Sequence, residues 1–192
     1  MFDADYWSKR YSTNPAWDVG AATQPLVAYF DTLTNLHAPI LIPGCGNAYE
    51  AKYLLEKGFT DITVIDIVPE LIDKLKNEFS QYNQQIKILC EDFFVHNGTY
   101  DLIIEQTFFC ALHPTERVDY IKKMHSLLKP GGQLSGLLFI KEFDGNEPPF
   151  GGNIATYKAL FGSLFSIDTI QIAENSIIPR QGSECFFSIT AV

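Results

Sequence analysis

Chemistry in this chain concentrates at a few short runs. Gly44-Cys45-Gly46 follows the apolar run Ile40-Leu41-Ile42-Pro43, and Asp66 comes twenty residues after Gly46, closing a second apolar run, Ile62-Thr63-Val64-Ile65. A glycine turn lets backbone approach a ligand where a β-carbon would collide. A carboxylate at that spacing can accept both hydroxyls of a ribose diol. Asp92 follows a third apolar run, and Glu105-Gln106-Thr107 ends a fourth. Together these residues describe a cradle for an adenosine-containing small molecule. His113 precedes Pro114 and reads as the start of a helix rather than as a base. Cys45, Cys90, Cys110 and Cys185 form no Cys-x-x-Cys pair, which favours free thiols in a reducing, cytoplasmic setting.

The elements that would hold these residues alternate. Strands are expected at 40–42, 61–66, 86–90, 100–105 and 133–140, several of them nearly continuous in apolar character, as in parallel strands covered on both faces. A helical segment from Ala48 to Lys57 follows the glycine turn. Pro69 opens another helix with an apolar stripe of Leu71, Ile72, Leu75 and Phe79. Val118, Ile121, Met124, Leu127 and Leu128 suggest a third, stopped by Lys129-Pro130-Gly131-Gly132. Such alternation predicts an α/β sandwich with right-handed crossovers. At the carboxyl end, 165–172 and 185–191 both read as strands with only a Pro- and Gly-containing loop between them, so they should pair as an antiparallel hairpin. The expected architecture is a Rossmann-like sandwich with a seven-stranded, mostly parallel sheet and helices on both faces. Residues 1–35 precede the first strand and hold Tyr6, Trp7, Tyr11 and Trp17, a density that suggests a cap over the site.

Global properties narrow the partners. A chain of 192 residues, 46% hydrophobic and 14% aromatic, is expected to form one domain, 1–192, with a sizeable core. The net charge of −9 opposes a nucleic-acid partner. The first residues lack a signal-peptide pattern, and no apolar run reaches the ~20 residues of a membrane span. The sequence does not reveal the oligomeric state, with a monomer favoured, and no metal is expected.

The sequence resembles the thiopurine S-methyltransferase superfamily, especially its thiol and halide methyltransferases. The similar segments are Trp17-Asp18-Val19-Gly20, Ile42-Pro43-Gly44-Cys45-Gly46, Val64-Ile65-Asp66-Ile67, Glu91-Asp92-Phe93-Phe94, Phe108-Phe109-Cys110-Ala111-Leu112-His113-Pro114, Leu128-Lys129-Pro130-Gly131-Gly132 and Pro148-Pro149-Phe150. The resemblance implies a class I fold and direct in-line transfer of a methyl group from S-adenosylmethionine, leaving S-adenosylhomocysteine. It implies an acceptor that is a small soft nucleophile: a thiol, a halide or thiocyanate. It also implies cofactor contacts from Trp7, Tyr11 and Trp17 in the cap, Gly44 and Gly46 in the turn, Asp66 on the ribose, Ile67 against the adenine, Asp92 on its amino group, Phe93 through a backbone amide or an apolar wall, and Glu105. Glu105, Gln106, Phe108 and Phe109 are the candidates for positioning the acceptor. Two departures stand out. Tyr11 occupies a tryptophan position, and Gln106 stands where thiopurine methyltransferases carry arginine, which points away from carboxylate-bearing thiopurine-like acceptors. Two rivals use the same features: a dinucleotide oxidoreductase, opposed by the missing third glycine and the terminal hairpin, and a non-catalytic cofactor-binding module.

Overall fold

A computed structural model describes residues 2–13, 15 and 17–192, so Met1, Asn14 and Ala16 of the expected cap lie outside the described residues. Seven strands form one sheet in the order β3-β2-β1-β4-β5-β7-β6. They are β1 (Ile40–Pro43), β2 (Ile62–Asp66), β3 (Ile86–Cys90), β4 (Tyr100–Gln106), β5 (Leu128–Phe139), β6 (Phe165–Ile172) and β7 (Glu184–Ala191). The first five pair in parallel, and β7 inserts antiparallel between β5 and β6. The expected hairpin is therefore present. Its second strand returns to the sheet interior, because β7 is the more apolar: Cys185, Phe187 and Ile189 are wholly buried, while alternate residues of β6 face solvent.

Helices cover both faces. Those with assigned ranges are α1 (Ala4–Tyr11), α2 (Gln24–Phe30), α3 (Tyr49–Glu56), α4 (Pro69–Glu78), α5 (Arg117–Leu127) and α6 (Ile154–Phe161). Leu26 and Phe30 of α2, Leu54 of α3 and Leu71 and Leu75 of α4 pack with Ile40, Ile42 and Val64 on one face. Tyr120, Ile121 and Met124 of α5 and Tyr157 and Phe161 of α6 pack with Leu41, Ile103 and Phe187 on the other. Neighbouring strand residues thus point to opposite layers, as the pleat requires.

Three sequence expectations change in detail. The α5 stripe runs through Tyr120 rather than Val118, which is 53% exposed. The segment Lys129-Pro130-Gly131-Gly132 lies inside β5: Leu128 pairs with Tyr100, then the register shifts so that Gln133 faces Leu102, and the four residues between bulge outward. Finally, residues 24–30 form a sheet-covering helix and do not belong to a lid. The amphipathic period is too short in seven residues to announce α2 from sequence, and Pro25 in its first turn was the available signal.

The β4–β5 contact is close. A β-carbon at Gly136 would strike the carbonyl oxygen of Glu105. Gly136→Ala is therefore expected to lower unfolding free energy by about 1–3 kcal/mol through overpacking, read as a lower urea midpoint with an unchanged slope.

Candidate functional site

The carboxyl ends of the parallel strands meet at one cavity of about 470 Å³. This is where ligands of open α/β sheets bind. Its floor begins at the turn after β1. Gly44 and Gly46 have φ of +58° and +53°, left-handed values that side chains resist. A β-carbon at Gly44 would overlap the Phe108 ring, and one at Gly46 would lie 3.2 Å from the Tyr11 hydroxyl. The two glycines thus admit a β4-loop aromatic and a cap phenol beside the turn.

Asp66 fixes that turn. Its Oδ2 accepts the Gly46 N–H at 3.1 Å, and its Oδ1 accepts the Val68 N–H at 3.2 Å, just ahead of α4. The side chain is nearly buried, and burial raises its pKa against the opposing pull of the amide donors. Each oxygen keeps a free lone pair, so Asp66 can hold this turn and still accept a ligand hydroxyl. Asp92, after β3, accepts the Phe94 N–H at 2.9 Å and lines the same cavity, as do Ile67 and Phe93.

The β4 end behaves differently. Glu105 is wholly buried and does not reach the cavity. Its Oε1 accepts the N–H groups of Phe108 and Phe109, both at 2.8 Å, and its Oε2 accepts the Tyr120 hydroxyl at 2.6 Å. Phe109 is likewise buried, edge-on to Tyr120 and Tyr157. Glu105, a candidate for both cofactor contact and positioning, and Phe109, a positioning candidate, therefore lie behind the wall: the β4 pleat sends Glu105 to the Ile103 layer, and the chain bends back at Thr107 (φ +58°, an outlier for a β-branched residue) before Phe109 enters that layer. Gln106, Thr107 and Phe108 remain on the cavity wall.

The cap closes the opposite side. Trp7, Tyr11 and Trp17 all line the cavity, and Trp17 meets the other two edge to face at 5.9 Å each. Side chains anchor the cap at several points. Arg10 pairs with Glu147, and Ser8 Oγ donates to Glu70 at 3.1 Å. Asn47 donates to Asp18 at 2.6 Å while Lys74 donates to Asn47 at 2.8 Å.

Sequence reasoning missed three polar residues here. Arg180, from the β6–β7 loop, is buried on the wall; it pairs with Glu184 at 3.1 Å and donates to the Trp17 carbonyl at 3.0 Å, joining hairpin to cap. Glu50 of α3 is buried and accepts the Thr23 N–H at 3.3 Å; burial raises its pKa. Glu116 stands at the start of α5. No spacing rule marks them, since each is polar within a loop or first turn and becomes part of the site only through the fold. Cys45 and Cys110 also line the cavity. Burial pushes both thiols up, Cys110 to about 12, so they stand as neutral walls and not as nucleophiles.

The thiopurine S-methyltransferase family model matches residues 2–187. The chain belongs to that family. It is a methyltransferase of the α/β type, and the dinucleotide oxidoreductase rival is set aside. Among relatives, a probable thiol methyltransferase 2 of Arabidopsis thaliana is 29% identical over 185 residues, covering 93% of this chain and 81% of the relative. Thiocyanate methyltransferase 1 of Brassica oleracea is 30% identical over 175 residues, covering 88% and 76%. A similar solved fold is the Burkholderia thailandensis 1,6-didemethyltoxoflavin-N1-methyltransferase with bound 1,6-didemethyltoxoflavin and S-adenosylhomocysteine. It has a TM-score of 0.79 at 19% identity, covering 98% of this chain and 86% of that one.

Glu105 gives this site a pH signature. Burial lifts its carboxyl from the ordinary 4.5 to about 7, with the Tyr120 hydroxyl and two amides pulling the other way. The folded state therefore binds this proton more tightly than the unfolded chain. The stabilisation is complete below about pH 4.5 and is lost as pH rises through about 7. The gap, at ~1.36 kcal/mol per pH unit, is about 3 kcal/mol. Glu105→Gln keeps the acceptor for both amides and can donate to the Tyr120 oxygen. Thermal melts of both proteins from pH 4.5 to 8 are expected to diverge, the variant retaining up to that much more stability at the alkaline end.

Proposed function

We propose that this protein transfers a methyl group from S-adenosylmethionine to a small soft nucleophile, with a thiol as the leading class and thiocyanate or a halide as the alternatives. The observation that carries this reading is the continuity of one cavity. Its lining includes the Gly44–Gly46 turn, Asp66 and Asp92 together with the aromatic side chains of Phe93, Phe108, Phe139 and Phe143 and those of Trp7, Tyr11 and Trp17.

The lining suits such a donor. Asp66 is the residue to accept the ribose hydroxyls, Asp92 the adenine amino group, and Ile67 and Phe93 supply apolar walls for the ring. Trp7, Tyr11 and Trp17 present aromatic rings toward a cation, a favourable electrostatic arrangement. S-adenosylmethionine brings a methyl group already activated on a sulfonium, so the chain's task is alignment and exclusion of water. Good orientation is worth ~7–11 kcal/mol relative to free reactants. Attack by an anionic nucleophile on a sulfonium neutralises charge, and a closed apolar chamber favours that by removing the water that solvates both ions. Thiols of pKa about 8.5 already contain some thiolate near neutral pH. The names of the two plant relatives, a probable thiol and a thiocyanate methyltransferase, support the acceptor class. Gln106, where the thiopurine enzymes resembled above carry arginine, argues against an acceptor with a carboxylate.

The setting proposed is a reducing, cytoplasmic one. The four cysteines are free, and among the described residues no helix is long and apolar enough to cross a membrane.

Two measurements test the reading. Calorimetric titration with S-adenosylmethionine is expected to show Asp66→Ala binding weaker by about 1–3 kcal/mol, from loss of charge-assisted hydrogen bonds; an unchanged dissociation constant would remove Asp66 from the site. Incubation with methyl-labelled donor and a panel of thiols, thiocyanate and iodide is expected to give volatile methylated product. Turnover of none of them, with donor bound, would overturn the acceptor assignment.

A further inference from the structure

The connection from β3 to β4 differs from the others between parallel strands. A helix covers each of those from β1 to β2, from β2 to β3 and from β4 to β5, whereas residues 91–99 carry none. This segment must pass β2 and β1 to reach β4. It also carries Asp92, Phe93 and Phe94 along the cavity. Without a helix, its backbone groups and its shape depend on side-chain anchors.

His96 is the central anchor. It is 3% exposed, and its ring is engaged at both nitrogens. Nδ1 pairs with the Glu91 carboxylate, and Nε2 lies 2.8 Å from the Tyr100 hydroxyl. The ring also stacks on that of Tyr100, with centres 5.9 Å apart. Gly98 allows the approach, since a β-carbon there would come within 2.6 Å of the Tyr100 ring. One imidazole thus joins the residue that leaves β3 to the residue that opens β4. The backbone N–H of His96 donates to the Asp92 carbonyl at 3.2 Å, as does that of Val95 at 3.1 Å. The Glu91 N–H donates to the Asp66 carbonyl at 3.0 Å, which ties the same turn to the ribose acid.

These bonds converge on Asp92. Its Oδ1 accepts the Phe94 N–H at 2.9 Å, and no group among the described residues donates to its Oδ2. The Phe94 amide sets the rotation of the carboxylate. The His96 bonds set where the whole turn stands. His96 and Tyr100 themselves stand behind the cavity wall, so any influence on a ligand passes through the turn. Hydrogen bonds weaken steeply with distance and angle, and a recognition group is only as exact as the shell that supports it.

We propose that His96 is a positioning residue for the adenine end of the methyl donor. Held between Glu91 and Tyr100, it places the Asp92 carboxylate where the adenine amino group is read, and so sets the discrimination between an adenine and a 6-oxopurine. This rests on the assignment of Asp92 to the adenine amino group and deepens it.

The test measures calorimetric affinities for S-adenosylhomocysteine and S-inosylhomocysteine, in which a carbonyl oxygen replaces the amino group. The proteins are wild type, His96→Phe and Tyr100→Phe, each with and without Asp92→Ala. Wild type is expected to prefer the adenine compound. His96→Phe keeps a ring on Tyr100 but loses both polar contacts; it is expected to bind that compound about 5–10-fold more weakly, with the inosine compound little changed. Tyr100→Phe loses one contact and is expected to shift the ratio less, in the same direction; it carries the test if His96→Phe does not fold. With Asp92→Ala present, neither substitution is expected to cost further affinity, because they act through that carboxylate. An equal loss for both ligands, or a loss that persists in full beside Asp92→Ala, would mean a structural role and would overturn the proposal. A wild-type ratio in the folded variants would overturn it as well. If Asp92→Ala alone leaves S-adenosylhomocysteine binding unchanged, the adenine assignment itself fails, and this inference fails with it.

Discussion

The Asp66 carboxylate holds two backbone amides from two different connections, and the site is arranged around that contact. Gly46 belongs to the turn after β1 and Val68 to the approach to α4, so one side chain sets the spacing between two neighbouring strand ends. The turn it fixes is left-handed at both glycines, leaving room for Phe108 from one direction and Tyr11 from another. Loosening the carboxylate would release the floor, the aromatic wall and the cap contact together.

The same device recurs along the carboxyl edge of the sheet. Asp92 holds the amide of Phe94 after β3, and Glu105 holds those of Phe108 and Phe109 after β4. Each uses a carboxylate to satisfy loop N–H groups that would otherwise be buried without partners. What separates them is access. Asp66 and Asp92 border the cavity and keep acceptor capacity for a ligand, whereas Glu105 lies beneath the wall and spends its capacity on the protein. The result is a floor of acid-tied loops under a cap held both by exposed pairs such as Arg10–Glu147 and Ser8–Glu70 and by part-buried contacts of Trp7, Tyr11, Trp17 and Asp18. Exposed pairs of that kind are individually weak, so the part-buried contacts hold the cap more firmly.

Much of this was legible in the chain. Strong apolar runs gave the strands to within a residue or two at most ends, and the lack of any helical period between 172 and 185 gave the antiparallel hairpin. Asp66, Asp92 and the glycine turn were legible because each sits at a strand end where spacing constrains it. The Glu105 role was not, since both faces of β4 are buried and nothing in Ile104-Glu105-Gln106 reveals that Tyr120 and the amides of Phe108 and Phe109 gather on the face where Glu105 lies. Arg180 and Glu116 were hidden for another reason. Their partners, Trp17 and Glu184 for the first and His113 with the cavity for the second, are assembled by tertiary packing or by a local cap that resembles any other helix start.

The central claim is that the Asp66-anchored turn grips the sugar of a charged methyl donor. The most direct measurement is a crystal structure of this protein with S-adenosylhomocysteine. The account expects the two ribose hydroxyls on the Asp66 carboxylate, the adenine between Ile67 and Phe93 with its amino group at Asp92, and the sulfur facing Phe108 under the cap. Density for the compound elsewhere, or a ribose that makes no contact with Asp66, would contradict it.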